Sequence, residues 1–350
     1  MIISRTPFRL SLFGGGTDYP SWYTKHGGAV LATTIDKYCY LTCRYLPPFF
    51  EHKYRLVYSR IENCQTREEI THPVVRAVLQ HLNMDAGVEI HHDGDLPARS
   101  GMGSSSAFTV GLLHALYALK GEMRSREQLA REAIHVEQKL LAETVGCQDQ
   151  IITAFGGINH ISFTPSGDFS VRPVTVSKHR VSALQSNLML FYTGVERIAS
   201  QVANSYANDL NESKRRQLRL VRDLVEEAID ILQGDGDLEP IGALLHEAWE
   251  AKRSLSTQVS TDGIDGLYDA ARRAGALGGK LVGAGGGGFM LLFVPPSRQQ
   301  AVKDALRGAL HVPFRFQFSG TQIIFYDPER DYSPEAVGAE LAPNLVRSVG

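Results

Sequence analysis

The amino-acid sequence predicts an α+β protein of two domains, and three observations carry that expectation. Strand-like and helix-like segments mix along the first half of the chain. After about Val181 a helical block is followed by a β-α-β-like ending. The length of 350 residues exceeds what one hydrophobic core usually serves. The expected domains are therefore 1–180 and 181–350.

Apolar patterning marks strands at Phe8 to Phe13, Ala29 to Tyr45, Tyr54 to Tyr58, Gly87 to His92 and Gly157 to Phe163. Helical spacing marks Pro73 to Leu82, Ser105 to Leu119 and Arg126 to Leu141. The second half opens with a strand at Leu188 to Tyr192. A long helical stretch from Arg197 to Leu232 follows, stopped by the Gly234-Asp-Gly236 turn. Helices begin near Leu238 and Gly263. A strand pair, a helix from Arg298 to Leu310 and two further strands complete the pattern. There is no internal repeat.

Composition is that of a soluble globular protein, with 43% hydrophobic and 21% charged residues. The 36 basic and 38 acidic side chains nearly cancel, so no nucleic-acid partner is expected. The basic cluster Lys214 to Arg222 is followed by Asp223, Glu226 and Glu227, which reads as a solvated helix face. Cys39, Cys43, Cys64 and Cys147 form no CxxC pair and are expected as reduced, buried thiols. The N-terminus lacks the apolar run of a signal peptide, and no segment reaches the ~20 apolar residues of a membrane span. A cytoplasmic enzyme without membrane contact is expected; the sequence leaves a homodimer open.

The run Asp95-Leu-Pro97-Ala-Arg-Ser-Gly101-Met102-Gly103-Ser104-Ser105-Ser106-Ala107 joins a strand to a helix start. Its glycines permit positive φ and close backbone approach. The unpaired N–H groups and partial positive charge of a helix N-terminus suit an anion. Three hydroxyls add hydrogen-bond partners and a metal ligand, so a triphosphate cradle is the chemical reading; a Ser-capped helix is the alternative. A second run, Gly283-Ala-Gly285-Gly286-Gly287-Gly288, contains G-x-G-x-x-G but is followed by a strand. A dinucleotide site needs a helix there. Its glycines point instead to backbone packed against a ligand or another loop. A third run, Gly14-Gly15-Gly16-Thr17-Asp18-Tyr19, follows the strand that carries Arg5, Arg9 and Ser11 on one face and Phe8, Leu10 and Leu12 on the other. The arginines face a cleft or lie on an exposed strand edge.

Glu137 falls on the apolar face of its helix, between Ala133, Ile134, Leu140 and Leu141. An unpaired carboxylate there costs several kcal/mol, roughly. Mg²⁺, which prefers oxygen ligands, is one partner; an arginine is the other. Asp149 precedes the apolar run Ile151 to Phe155, near a helix N-terminus that favours its ionised form. It can take a proton from a hydroxyl or simply cap the helix.

These motifs resemble the GHMP kinases. Arg5-x-Pro7-x-Arg9-Leu-Ser-Leu-Phe-Gly-Gly-Gly-Thr17-Asp18 matches the first family motif. Pro97 to Ser105 matches the P-x-x-x-G-[LM]-G-S-S loop, and Lys280-Leu-Val-Gly283-Ala-Gly285-Gly-Gly-Gly288-Phe matches the third. The resemblance implies an N-terminal domain like ribosomal protein S5 domain 2, a ferredoxin-like C-terminal α/β sandwich, and ATP and substrate in the cleft between them. It implies that Pro97, Gly101, Met102, Gly103, Ser104, Ser105 and Ser106 hold the nucleotide phosphates. Ser105 and Glu137 would bind Mg²⁺, with Asp149 and Arg9 as the catalytic pair.

Where galactokinases carry Gly-Glu-His-Thr-Asp, this chain has Gly14-Gly15-Gly16-Thr17-Asp18. That form, with Ile35-Asp36-Lys37-Tyr38, Gly-Cys-Gln-Asp149-Gln150 and Tyr192-Thr193-Gly194…Arg197, is similar to the family branch that phosphorylates the anomeric hydroxyl of D-glycero-D-manno-heptose 7-phosphate toward GDP-heptose. On this resemblance Gly15, Gly16, Thr17, Asp18, Gly285 and Gly286 contact the sugar, and Lys37 and Arg197 its phosphate. An L-fucose-type sugar 1-kinase is the alternative within the family. A non-catalytic sugar-binding protein of the same fold is the alternative outside it.

Overall fold

The computed structural model describes residues 1–98, 100–195, 202 and 212–328. Two long strands, β1 (Ile2–Phe13) and β2 (Gly28–Tyr45), pair antiparallel and form the spine of the first sheet. Short helix α1 (Pro20–His26) joins them. The far edge of β2 is shared by three strands. β5 (Val88–Gly94) pairs with residues 39–45, β6 (Asn159–Phe163) with 28–32, and β12 (Phe316–Gln317) with Thr34 and Ile35. β3 (Tyr54–Val57) runs parallel to β5, and β4 (Ile61–Cys64) closes that edge. β7 (Phe169–Pro173) pairs with β6. Among the described residues nine strands form this sheet.

Helix α3 (Ser104–Leu119) lies on β1 and β2, flanked by α2 (Pro73–His81), α4 (Arg126–His135) and α5 (Gln148–Phe155). It is apolar on all sides and almost wholly buried, as expected of a helix inside a core. The helix expected over 126–141 is α-helical only to His135; Val136–Leu140 widens into a π-turn. Such turns insert an extra residue and recur at functional sites.

The second sheet is four-stranded and antiparallel, in the order β11 (Leu310–His311), β8 (Leu188–Tyr192), β10 (Phe289–Phe293), β9 (Gly278–Leu281). Helix α6 (Lys178–Asn187) leads into it. The helices α7 (Glu212–Gln233), α8 (Glu239–Arg253), α9 (Asp262–Arg273) and α10 (Gln299–Ala305) accompany it. α8 packs on β9 and β10, and α7 packs on α8, β1 and β2. No described helix is long and apolar enough to cross a membrane.

Three expectations change. The chain does not stay in the second unit after residue 181. β12 and β13 (Gln322–Tyr326) return to the first sheet, where β13 pairs with Ile2 to Arg5. Alternation marks a strand but not the sheet edge it will find, and β1 offers an open edge there. The helix expected from Arg298 to Leu310 shrinks to Gln299–Ala305. α1, β4, β7 and α6 were not anticipated; they are short or only partly buried.

α8 approaches β9 so closely that a Cβ at Gly278 would overlap the Gly242 carbonyl oxygen. Overpacking of this kind costs about 1–3 kcal/mol or more. Gly278→Ala is therefore expected to lower the thermal midpoint by several degrees, roughly; an unchanged midpoint in a thermal melt would contradict this packing.

Candidate active site

The Asp95–Ala107 run folds into a loop whose Gly101 and Gly103 take φ of +77° and +71°. Behind it lies the second glycine run. A Cβ on Gly101 would come within 2.5 Å of the Val282 oxygen, and one on Gly283 within 2.6 Å of the Gly101 oxygen. The two runs thus meet backbone to backbone, which answers the question left open above: the later glycines pack on another loop. Gly283 and Ala284 line the cleft. Gly285 and Gly286, expected on the sugar, instead lie against Val259, whose oxygen accepts from Gly286 N at 2.8 Å.

Ser104, Ser105 and Ser106 form the first turn of α3 and line a cleft of about 300 Å³. Their N–H groups lack helical partners and carry the dipole's positive end. Met102 is buried; its carbonyl accepts from Arg9 N at 3.1 Å and ties the loop to β1. The Pro97 carbonyl accepts from Ser100 Oγ at 2.7 Å and braces the loop from outside the cleft.

Arg9 follows a register shift between Pro7 and Arg9 in β1, the kind of irregularity that re-aims side chains beside active sites. Only 4% exposed, it grips Asp149 with both arms of its fork: Nε to Oδ1 and Nη2 to Oδ2, each 2.6 Å. Its Nη1 donates to the Gly101 carbonyl. Asp149 sits in the first turn of α5 and faces the cleft. A Cβ on Gly103 would lie 2.9 Å from Arg9 Cγ and 3.3 Å from Asp149 Oδ2, so this glycine leaves room for the pair.

Asp18 is buried at the same cleft. Its Oδ1 accepts from Gly16 N at 2.9 Å and its Oδ2 from Gln148 N at 3.3 Å. Burial, with the Asp149 charge adding, pushes its carboxyl above the usual range. Gly15 and Gly16 line the cleft beside it. Thr17 does not: it is buried, and its hydroxyl latches the turn through Gly14 O and Ala29 O. Lys37 lies outside the cleft with its ammonium on Asp36. Arg197 falls outside the described residues.

Glu137 sits on the π-turn, 1% exposed. Its Oε2 accepts from Ser106 Oγ at 3.0 Å and from Gln150 Nε2, while its buried Oε1 has no partner. Among the described residues no arginine pairs with it. Burial pushes its carboxyl up to about 7. An orphaned oxygen beside serine hydroxyls suits a hard divalent cation, which binds the ionised carboxylate.

Inspection of the sequence missed Lys252, a buried lysine on α8 that lines the cleft. A signal for it exists: Leu245, Trp249 and Lys252 recur at helical spacing on one buried face, the same pattern that exposes Glu137.

Residues 69–157 match the model of the GHMP kinases N terminal domain, and residues 216–312 match that of the GHMP kinases C terminal domain. The chain belongs to the GHMP kinases. It is accordingly a phosphotransferase with an alcohol acceptor, built on the two-domain fold of that family. A D-glycero-alpha-D-manno-heptose 7-phosphate kinase of Campylobacter jejuni is 27% identical over 333 residues, covering 87% of this chain and 93% of that protein. The bifunctional fucokinase/GDP-fucose pyrophosphorylase of Arabidopsis thaliana is 25% identical over 312 residues, covering 82% of this chain and 29% of its own. The crystal structure of a D-glycero-D-manno-heptose 1-phosphate kinase from Bacteroides thetaiotaomicron superposes with a TM-score of 0.75 at 24% identity, covering 93% and 99% of the two chains.

A carboxyl whose pKa is higher folded than unfolded stabilises the protein at low pH and loses that contribution as pH rises through the folded value. For Glu137, raised from 4.5 to about 7, its own contribution to the stability of the metal-free protein is expected to fall by about 3 kcal/mol between pH 4.5 and 8. Glu137→Gln should flatten this dependence and raise the midpoint at pH 8, read by thermal melts across pH in EDTA. Identical pH profiles for the two proteins would refute the assignment.

Proposed function

We propose that the protein is an ATP-dependent sugar kinase that phosphorylates the anomeric hydroxyl of D-glycero-D-manno-heptose 7-phosphate to give the 1,7-bisphosphate. The observation that carries a hydroxyl-directed kinase is Asp149, clamped by Arg9 in the same cleft that the N-terminus of α3 lines. The sugar itself is taken from the likeness to the Campylobacter jejuni enzyme.

In this reading the first-turn N–H groups and hydroxyls of Ser104 to Ser106 cradle the ATP phosphates. Ser105 and Glu137 would hold Mg²⁺, which would offset phosphate charge when bound. Asp18, fixed by Gly16 N and Gln148 N, accepts hydrogen bonds from sugar hydroxyls. Asp149 takes the proton of the acceptor hydroxyl as its oxygen attacks the γ-phosphorus. Arg9, which holds both carboxylate oxygens, keeps that aspartate aimed. Catalysis of this type rests on positioning and electrostatics.

The similarity to the plant fucokinase supports a second reading, an L-fucose-type 1-kinase, because both substrates present an anomeric hydroxyl. A coupled ADP-release assay with heptose 7-phosphate, fucose, mannose and galactose separates them, with phosphorus NMR locating the new ester. Highest kcat/KM on heptose 7-phosphate, at O1, is expected; preference for free fucose would select the second reading. Sugar binding with no ADP formed would leave only a binding protein. Asp149→Asn should lower kcat by about 10²–10⁴-fold, and near-normal turnover would remove Asp149 from its role.

A further inference from the structure

Arg9 meets the Asp149 carboxylate with two donors and the Gly101 carbonyl with a third. Its charge is thus already matched before any substrate arrives. Lys252 is different. It reaches the cleft from the second domain, is 8% exposed, and its one hydrogen bond among the described residues goes to a neutral acceptor, the Gly283 carbonyl. An ammonium has three donors, and burying one without a carboxylate partner is costly. Gly283 in turn abuts Gly101 of the anion-binding loop. The charged groups facing Lys252 are Arg9 and Asp18 from the first sheet and its following turn, Asp149 from α5, and Lys280 from β9. Lys280 lies behind, donating to the Leu12 carbonyl at 3.0 Å. Three cations therefore face two carboxylates, and among the described residues Lys252 is the cation lining the cleft that has no carboxylate hydrogen bond.

We propose that Lys252 is a catalytic residue: its ammonium contacts the phosphoryl group in transit between ATP and the acceptor. The inference rests on the kinase reading above. In the step, the acceptor hydroxyl gives its proton to Asp149, its oxygen bonds to the γ-phosphorus, and the bond from that phosphorus to the ADP oxygen breaks. Charge spreads over the phosphoryl oxygens as this happens. A preorganised cation in a water-poor site stabilises that charge more than it stabilises bound ATP. Burial, with the Arg9 charge adding, pulls the Lys252 ammonium down to about 8, so the active, protonated form is lost as pH rises through that value.

Lys252→Met preserves volume, and Lys252→Arg keeps the charge. In the ADP-release assay Lys252→Met is expected to lose about 10²–10³-fold in kcat, with KM for ATP and for the sugar changed by less than about threefold. Wild-type kcat/KM should fall above about pH 8, and Lys252→Arg should retain activity without that fall. A merely structural lysine would leave the wild-type profile without this limb. Lys252→Met turnover within threefold of wild type overturns the proposal. So does a raised KM confined to a phosphorylated sugar with kcat intact, which would assign Lys252 to the substrate's own phosphate. Wild-type protein that forms no ADP with any sugar overturns the kinase reading and the proposal together, whereas an active wild type with an unaffected Lys252→Met overturns the proposal alone.

Discussion

The contact between two glycine runs holds the site together. Gly101 and Gly283 touch through their main chains, and no side chain fits between them. The contact fixes the distance between the loop that opens α3 and the domain that carries Lys252. It also leaves the Gly101 carbonyl free to receive Arg9 and the Gly283 carbonyl free to receive Lys252. One backbone junction thereby places a cation from each domain. A methyl group on either glycine would push the halves apart and move both charges, which is why these positions must lack a Cβ.

Around that junction the protein buries charge well beyond what it neutralises. Asp18 and Glu137 have their carboxyls raised by burial, and Lys252 and Lys280 their ammonium groups lowered. Each shift records a charged form held in a poor solvent. Such a cleft costs stability when empty and recovers it when anions, cations and hydroxyls complete the pairing. The tight Arg9–Asp149 pair is the exception, and it sits where geometry matters most.

Much of this was legible beforehand. β8 was delimited to the residue at Leu188 and Tyr192, and α2, α3 and β2 to within a residue, because each couples strong periodicity to a turn or cap. Arg9, Glu137, Asp149 and the serines, which the fold brings to one cleft, were legible from a polar strand face, an apolar helix face, a helix start and a glycine loop respectively. Lys37, Thr17, Gly285 and Gly286 carried no such signal and entered through resemblance; the fold turns each to a structural partner instead. Lys252 carried a signal in its spacing from Leu245 and Trp249, but the neighbouring charges Glu247, Glu250 and Arg253 mask it, so the lysine reads as solvated. The return of β12 and β13 was hidden for another reason: pairing partners several hundred residues apart leave no local trace.

That return has a consequence for synthesis on the ribosome. Met1 and Asp327 exchange backbone hydrogen bonds, so β1 waits for β13, made much later, before that edge is covered. Until then β1 exposes a ladder of unpaired amides, an invitation to wrong partners. The first sheet is therefore complete only once β12 and β13 have emerged, and a polypeptide stopped before them would present an open rim.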